Sequence, residues 1–319
     1  MIDLIKTHRR LLTDSETEIV VGANYLKPNT AAGVPYYDNK PEKNLEQHGG
    51  VHIRIDTGRK LSVEFSVHKY YNKKVRGTPG NLDLFNMDEA IRTMEMVIKD
   101  KQIPSGLMVN YYEVGLNLYV EKDCRAYLDK IYQIGVPGGE RKMYVNPKYP
   151  DERAKASCFA NGVRKYFKVY DKVYEMMDKR SPVVPEDNIL RIETVRQRVE
   201  KMPVDVFFSR SNLLKEMERF FRDWRTLAFE RDIQTPKGTG RTRQALIRSV
   251  LQKGKEKVLS EERERWKGGF LTDWEFRNIR EFLQNEYDEL KQYIRLVPSP
   301  EEIEFKSLLS TLYPLMKMG

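Results

Sequence analysis

The stretch "LMVNYYEVGLNLYV", residues 107–120, decides the fold class of the first half of the chain because its apolar and polar side chains alternate. Successive side chains of a β-strand point to opposite faces of the sheet. One face of the predicted strand carries Tyr112, Val114, Leu116, Leu118 and Val120. The other carries Tyr111, Glu113, Gly115, Asn117 and Tyr119. We therefore expect a long strand with one apolar face and one polar face.

Other segments before residue 200 repeat this period of two and predict further strands. They are "VHIRID" (51–56), "KLSVEFSVHKYY" (60–71), "RKYFKVYDK" (164–172) and "ILRIETV" (189–195). Two helices are predicted between them. One spans residues 86–102 after an asparagine cap, and the other spans residues 122–135 and ends at Gly135. This mixture predicts an α+β domain.

After residue 200 the spacing of apolar residues becomes helical. We predict helices in 211–232 from an Asn212 cap, in 241–266 and in 272–294, and a short last helix that starts at Ser299 and Pro300. Thr272 and Glu275 form the pattern of a capping box. The expected domains are residues 1–200, built on a sheet, and residues 201–319, helical and basic.

Composition restricts the class of protein. The chain has 319 residues, of which 40% are hydrophobic and 32% charged, and a formal net charge of +9, which favours a polyanionic partner. Its two cysteines, Cys124 and Cys158, have no zinc-ligand spacing and are too few for a disulfide scaffold. We therefore expect neither a zinc site nor an oxidising compartment, but a reducing one. Neither a signal peptide nor an apolar run of about 18 residues occurs, which predicts a cytoplasmic protein with no membrane partner. A phosphate-binding loop motif is also absent, which argues against an NTP-driven motor.

The polar faces of the strands suggest a metal site. In "KLSVEFSVH" the residues Ser62, Glu64, Ser66 and His68 share one face, and His68 could meet Glu113 across the sheet. Carboxylates with an imidazole suit Mg²⁺ or Mn²⁺. The alternative is an ordinary sheet with one solvated face.

The segment "FKVYDKVYEMMDK", residues 167–179, places tyrosines among charged residues. A phenol becomes a useful nucleophile when a metal ion or a lysine helps to ionise it. Tyr170 has Lys172 two residues away, and Tyr174 would join its face if a helix begins there. The alternative is a strand end with exposed charges and packing tyrosines.

The order of the short motifs over residues 1–200 resembles a known family. "MIDLIK", "LSVEFSVHKYYN", "YYEVGLNL", "KVYDKVYE" and "LRIE" occur as in the rolling-circle replication initiators of the filamentous-phage gene II/X type. The resemblance implies a nicking domain built on an antiparallel sheet, with Tyr170 as the nicking tyrosine. By position, Lys172 and Glu175 match the basic and acidic residues that follow this tyrosine in the family. Glu113 matches the acid of the family's central strand, and Arg191 and Glu193 match its RxE strand. One departure is that His8, His48, His52 and His68 form no His-hydrophobic-His pair.

The resemblance implies a metal-dependent endonuclease and strand transferase. Tyr170 would attack the scissile phosphate and leave a 5′-phosphotyrosine and a free 3′-hydroxyl, and Tyr174 could serve a second transfer. The expected metal ligands are Glu113, Glu193 and His68, chosen on face geometry and charge, together with Glu175, which the resemblance matches to the acidic residue after the tyrosine. Expected partners are single-stranded or supercoiled origin DNA and the host polymerase and helicase.

The helical region supplies a further expectation about DNA. The segment 241–257, with Lys237 just before it, is strongly basic. Arg241, Arg243 and Arg248, together with Arg191 of the sheet domain, are the predicted DNA-binding residues. A solvated helix face is the alternative for the helix. For the whole protein the alternatives are a non-catalytic DNA-binding replication regulator and a metal-dependent nuclease that uses water.

Overall fold

The computed structural model describes residues 1–8, 10–40, 49–78, 80–146, 152–157, 164–181 and 184–317. His48 and Cys158 lie outside these residues. The strands are β1 Ile2–Thr7, β2 Arg10–Leu11, β3 Pro28–Ala31, β4 Val34–Asp38, β5 His52–Ile55, β6 Lys60–Ser66, β7 Met108–Val120, β8 Ile131–Ile134, β9 Arg141–Lys142, β10 Tyr144–Val145, β11 Ala154–Ala156, β12 Lys165–Asp171, β13 Asn188–Pro203, β14 Ala228–Phe229, β15 Asp232–Gln234 and β16 Arg295–Val297.

The helices follow the same chain order. They are α1 Asp14–Ala23, α2 Val67–Tyr71, α3 Met87–Asp100, α4 Cys124–Lys130, α5 Lys172–Asp178, α6 Val204–Phe207, α7 Arg210–Trp224, α8 Arg241–Lys253, α9 Lys255–Lys267, α10 Asp273–Glu281, α11 Tyr287–Leu290 and α12 Pro300–Lys317. Short π-helical turns, Asn72–Arg76 and Phe282–Glu286, continue α2 and α10.

A large antiparallel sheet organises the first part of the chain. Its strand order is β10-β11-β12-β13-β7-β1-β6-β5-β4-β3, and β2 pairs with β6. The long strands β7 and β13 lie side by side in its centre, and β1 and β12 flank them. The predicted α+β class and the predicted long strand at 107–120 are confirmed.

The apolar face of this sheet is covered by α7. Trp224 is fully buried, and its ring contacts Phe167 of β12 at 5.6 Å between centroids. Its indole Nε1 donates a hydrogen bond to Thr194 Oγ1 of β13 at 3.0 Å. Tyr112 of β7 reaches the same helix and donates to Glu216 at 2.5 Å. These contacts explain why α7, which the sequence assigns to the second domain, packs with the sheet.

Two of the predicted strands end earlier than expected because polar side chains cap helices. The Ser66 hydroxyl accepts from Lys69 N, so β6 gives way to α2, and residues 67–71 are helical. The Asp171 carboxylate accepts from Tyr174 N at 2.9 Å, so β12 gives way to α5. The strand predictions for 67–71 and for Lys172 were therefore wrong.

The predicted helices differ in several boundaries. The predicted asparagine cap at Asn86 and the predicted capping box at Thr272 are confirmed, and Asn86 also forms a capping box with Glu89. Helix α4 ends at Lys130, and the next four residues form β8 rather than a further helical turn. The N-cap of α7 is Ser209 and not Asn212. Gly254, with a φ of 85°, separates α8 from α9 because this left-handed conformation cannot continue a helix.

The chain divides into two compact units. One comprises residues 1–228 with 301–319, and the other comprises residues 229–300. This division differs from the expected boundary at residue 200, since α7 and α12 belong to the unit that contains the sheet. The smaller unit has its own core, formed by Leu246, Ile247, Val250, Val258, Leu259, Ile279, Phe282, Leu283 and Tyr287. Within the described ranges, none of the helices has the length and apolar composition that a membrane crossing requires.

Trp224 provides a test of the packing between α7 and the sheet. We expect Trp224→Ala to lower the free energy of unfolding by about 3–5 kcal/mol, because it leaves a large cavity and removes the partner of Thr194. Urea unfolding followed by circular dichroism measures this. The matched control is Trp274→Ala, which changes a 69% exposed tryptophan and should stay within about 0.5 kcal/mol. Equal losses in both variants would contradict the packing described.

Candidate functional site

The polar face of the central strands gathers the residues that the sequence singled out. Directly paired residues of neighbouring strands share a face of the sheet. Two rows cross β12, β13 and β7, and they are Tyr170, Arg191 and Asn117, followed by Lys168, Glu193 and Gly115. Glu113 lies opposite Val195 on this same face. The predicted polar face of residues 111–119 is therefore present, and most of it is buried.

Asp3 joins this face through an irregularity in β1. Ile2 pairs with Val114 and Leu4 pairs with Glu113, so Asp3 is an extra residue in the ladder, as in a β-bulge. Its carboxylate accepts from Ser66 Oγ at 2.9 Å and from Arg191 Nη2 at 2.5 Å. Sequence reasoning missed Asp3. The available signal was the break in alternation within "IDLI", which is typical of a bulge.

The guanidinium of Arg191 lies at the centre of the site and is fully buried. Its Nε donates to Glu193 Oε1 at 2.7 Å, its Nη1 to Asn117 Oδ1 at 2.8 Å, and its Nη2 to Asp3. Burial by itself raises the pKa of Asp3, but the charges of Arg191, His68 and Lys172, with the Ser66 hydrogen bond, together outweigh burial and hold the pKa well below its ordinary value. Arg191 is thus an internal counter-ion and not an exposed DNA contact.

Glu113 and Glu193 differ in their protonation equilibria. Burial raises the pKa of both, but the charges of Lys168 and Arg191 outweigh it at Glu193 and lower that pKa from 4.5 to about 2. At Glu113 burial and the nearby charge of Glu193 together raise the pKa. Lys168 Nζ bridges the two carboxylates, at 2.7 Å from Glu193 Oε2 and 3.2 Å from Glu113 Oε1. Tyr111 also donates a hydrogen bond to Glu113.

The hydroxyl of Tyr170 donates to Glu193 Oε1 at 2.8 Å. Tyr170 is buried, with only 5% of its surface exposed, although a tyrosine that attacks a phosphate must expose its oxygen. Burial, followed by the charge of Glu193, raises the pKa of Tyr170 well above its ordinary value. The phenol is therefore protonated at neutral pH, and Glu193 is the group placed to receive its proton.

Helix α5 begins at Lys172, directly after β12, and the charge of Lys172 still acts on Arg191 and Asp3 of the cluster. Lys172 Nζ pairs with Glu175 Oε2 at 2.5 Å, and Lys179 pairs with the other oxygen of Glu175. Burial, with the charge of Arg191, lowers the pKa of Lys172. The ring of Tyr174 lies 5.7 Å from the guanidinium of Arg153. Tyr174 is thus held by contacts different from those of Tyr170.

His68 lies beside the polar face rather than on one of its strands, and it lines a cavity together with Gly115, Asn117 and Arg191. It lies on α2, where its Nε2 is 2.9 Å from Asp83 Oδ1 and its ring stacks on Phe85 at 4.5 Å. Burial lowers its pKa from 6.5 to about 2. The prediction that His68 faces Glu113 from a strand position was wrong, because the Ser66 cap turns the chain into a helix before His68.

Among the described residues, three carboxylates could hold a metal ion. One oxygen each from Asp3, Glu113 and Glu193 lies within 4.8 Å of the others. This set of hard oxygen donors fits Mg²⁺ or Mn²⁺. Arg191 and Lys168 already pair with these oxygens, so an ion would compete with both side chains. The cluster contains the predicted ligands Glu113 and Glu193, but not His68 or Glu175.

The predicted DNA-binding residues of the smaller unit lie on α8. Arg243 pairs with Glu286 at 2.8 Å and also covers the ring of Phe282. Arg241 and Arg248 are exposed and make no hydrogen bond or ion pair with any residue that the structure describes. These two arginines leave their charges available to a partner.

Comparison with known proteins leaves the family open. No protein-family model matches the chain, and no curated protein is significantly similar to it. The resemblance to the gene II/X replication initiators therefore stays a prediction that rests on the motifs themselves.

Gly115 provides a test of the Arg191 network. A Cβ atom at Gly115 would lie 2.5 Å from Arg191 Nη2, so Gly115→Ala must displace the guanidinium from its partners. We expect unfolding free energy to fall by about 1–3 kcal/mol, measured by urea titration. The control is Gly22→Ala, where no atom lies within 4 Å and the helix should gain up to about 1 kcal/mol. Unchanged stability in Gly115→Ala would mean that Arg191 is not held where described.

The two glutamates provide a test by pH. The lowered pKa of Glu193 contributes stability that is present above its ordinary pKa of 4.5 and is lost as the pH falls towards 2. The raised pKa of Glu113 contributes stability that is present at acid pH and is lost as the pH rises through the folded-state pKa. The loss of unfolding free energy in Glu193→Gln, relative to wild type, should become smaller as the pH is lowered. The loss in Glu113→Gln should become larger. Chemical unfolding between pH 3 and 8 measures both, and deficits that change with the same sign would refute the assignment.

Proposed function

We propose that this protein is a DNA strand transferase that nicks one strand of a replication origin through Tyr170. The observation that carries the proposal is the hydrogen bond from the Tyr170 hydroxyl to Glu193, within a cluster that also contains Asp3 and Glu113. A nucleophile in hydrogen-bond contact with a carboxylate base is the arrangement that covalent catalysis requires. The motif resemblance supports the same tyrosine.

The proposed step transfers a phosphoryl group to the phenol. Glu193 takes the proton of Tyr170, the phenolic oxygen forms a bond to phosphorus, and the bond from phosphorus to the 3′ oxygen breaks. The electron pair goes to the 3′ oxygen, which takes a proton from water. The products are a 5′-phosphotyrosine and a free 3′-hydroxyl, and the reverse transfer closes the strand without ATP.

The cluster supplies charge for both partners of this reaction. A bound Mg²⁺ or Mn²⁺, held by Asp3, Glu113 and Glu193, would polarise the scissile phosphate. Lys168 and Arg191 lie on the same face and would balance the charge of an incoming phosphate as they leave the carboxylates. Because Tyr170 is buried, DNA binding must also expose its phenol to the scissile phosphate.

The smaller unit contributes affinity in this proposal. Arg241 and Arg248 would contact the DNA backbone without reading its sequence. Origin DNA, single-stranded or supercoiled, is the proposed substrate, and the host polymerase and helicase would act at the free 3′ end.

A second candidate is a non-catalytic DNA-binding replication regulator. The observation that favours it is the complete pairing of the acidic cluster with Arg191 and Lys168, which also describes a structural ion network. A nuclease that activates water at the same cluster is the third reading. The three differ in whether DNA is cut and whether it becomes attached to the protein.

Tyr170→Phe is the experiment that separates these functions. The change removes only the attacking oxygen, so we expect loss of the covalent protein–DNA adduct by at least about 100-fold. Denaturing gels of protein incubated with Mn²⁺ and a labelled single-stranded origin oligonucleotide measure it. Tyr174→Phe is the matched control, four residues away, and should keep the first cleavage.

Other results would exclude the proposal. Cleavage by wild type without an adduct favours a nuclease that uses water. Binding without cleavage favours the regulator. An adduct that persists in Tyr170→Phe and disappears in Tyr174→Phe would move the nucleophile to Tyr174.

A further inference from the structure

The smaller unit exposes three aromatic side chains at the turn between α9 and α10. Trp266, Phe270 and Trp274 form this surface, which we call the aromatic tip. Phe270 is 79% exposed, and Trp274 is 69% exposed. Large exposed aromatic side chains this close together in the sequence, within residues 266–274, indicate an interaction site.

Trp266 is held in one orientation. Its ring stacks on Phe276 with the centroids 4.9 Å apart and the planes 8° from parallel. Its indole Nε1 donates to Asp273 Oδ1 at 2.7 Å, which fixes the plane of the ring. The side chain of Trp266 thereby extends a stack that already exists inside the unit. A further flat ring can continue this stack at little cost in side-chain entropy.

Phe270 is held as well. Its backbone N–H donates to Arg265 O at 2.9 Å, and its ring lies over Gly268. A Cβ atom at Gly268 would lie 3.1 Å from two atoms of that ring. The glycine therefore provides the space that the exposed ring uses, and the aromatic tip is partly organised before any partner arrives.

The charges around the aromatic tip favour an anion. Arg263, Arg277 and Arg280 are exposed, and in the described part of the chain no hydrogen bond or ion pair is recorded for them. Arg263 precedes Trp266 by three residues on α9, and Arg277 follows Trp274 by three residues on α10, so each lies on the same helix side as an exposed ring. Of the nearby acids, Glu262 and Glu264 are paired with Arg265 and Lys267, Asp273 accepts from Trp266, and Glu275 accepts from Thr272.

We propose that the aromatic tip binds single-stranded nucleic acid by stacking bases on Trp274 and Phe270. Exposed bases offer a flat π-face to an aromatic ring, and the adjacent phosphates pair with Arg263 and Arg277. A duplex hides its base faces and gains only the phosphate contacts. The proposal uses no residue of the Asp3–Glu113–Glu193 cluster, so it is independent of whether Tyr170 is a nucleophile.

Intrinsic fluorescence of the full chain tests the proposal. Trp224 is fully buried, so quenching by added DNA reports Trp266 and Trp274. The probe is an oligothymidylate in buffer with EDTA, which prevents metal-dependent cleavage. We expect quenching on titration, and a dissociation constant at least about fivefold weaker in Trp274→Ala and in Phe270→Ala, since each loses one stacked base.

Two controls complete the experiment. Tyr25→Ala removes an 88% exposed aromatic side chain from the sheet-containing unit and should leave the dissociation constant unchanged. A hairpin duplex of equal charge should bind with little dependence on Trp274. The proposal is overturned if both aromatic variants bind oligothymidylate as wild type does. It is also overturned if Trp274→Ala and Phe270→Ala keep their affinity for oligothymidylate but lose self-association, measured by light scattering, or lose binding to lipid vesicles.

Discussion

The buried guanidinium of Arg191 is the interaction on which the sheet and the candidate site both depend. Its nitrogen atoms bind Asp3 on β1, Asn117 on β7 and Glu193 on β13, so one cation joins the three central strands. Removing one partner of such a buried pair costs about 3–5 kcal/mol, because a charge is left without compensation. The absence of a side chain at Gly115 is what gives the guanidinium its space. The Arg191 guanidinium therefore both stabilises the sheet and positions the carboxylates of the candidate site.

The ion pairs of Arg191 and Lys168 also mean that a ligand of the site must displace these side chains from the carboxylates. The carboxylates of Asp3, Glu113 and Glu193 are close enough for one ion, yet their charge is balanced by Arg191 and Lys168. Binding of a cation or of a phosphate requires these pairs to exchange partners. If the partner is DNA, as we propose, this pairing also prevents an uncompensated acidic cluster from repelling the phosphate backbone. In our proposal the ion pairs hold the site in a resting state and the substrate releases it.

Much of the fold follows from local patterns, whereas the site depends on exceptions to them. Alternation correctly predicts the two faces of β7, and the asparagine cap at Asn86 and the capping box at Thr272 correctly predict where helices begin. The same alternation wrongly predicts that the strand continues beyond Ser66 to His68, because the Ser66 hydroxyl caps a helix. It also hides Asp3, since a bulge places on the polar face a residue that regular pairing would place on the other. Caps and bulges depend on single side chains and on strand register, which periodicity does not contain.

The central claim, that the Tyr170 oxygen becomes linked to DNA, is tested most directly by peptide mass spectrometry of the trapped complex. The protein is incubated with Mn²⁺ and single-stranded origin DNA, the DNA is digested to a short remnant, and the peptides around residues 165–179 are fragmented. The account predicts a nucleotide 5′-phosphate on Tyr170. A remnant on Tyr174, or cut DNA with free 5′-phosphate ends and no modified peptide, would contradict it.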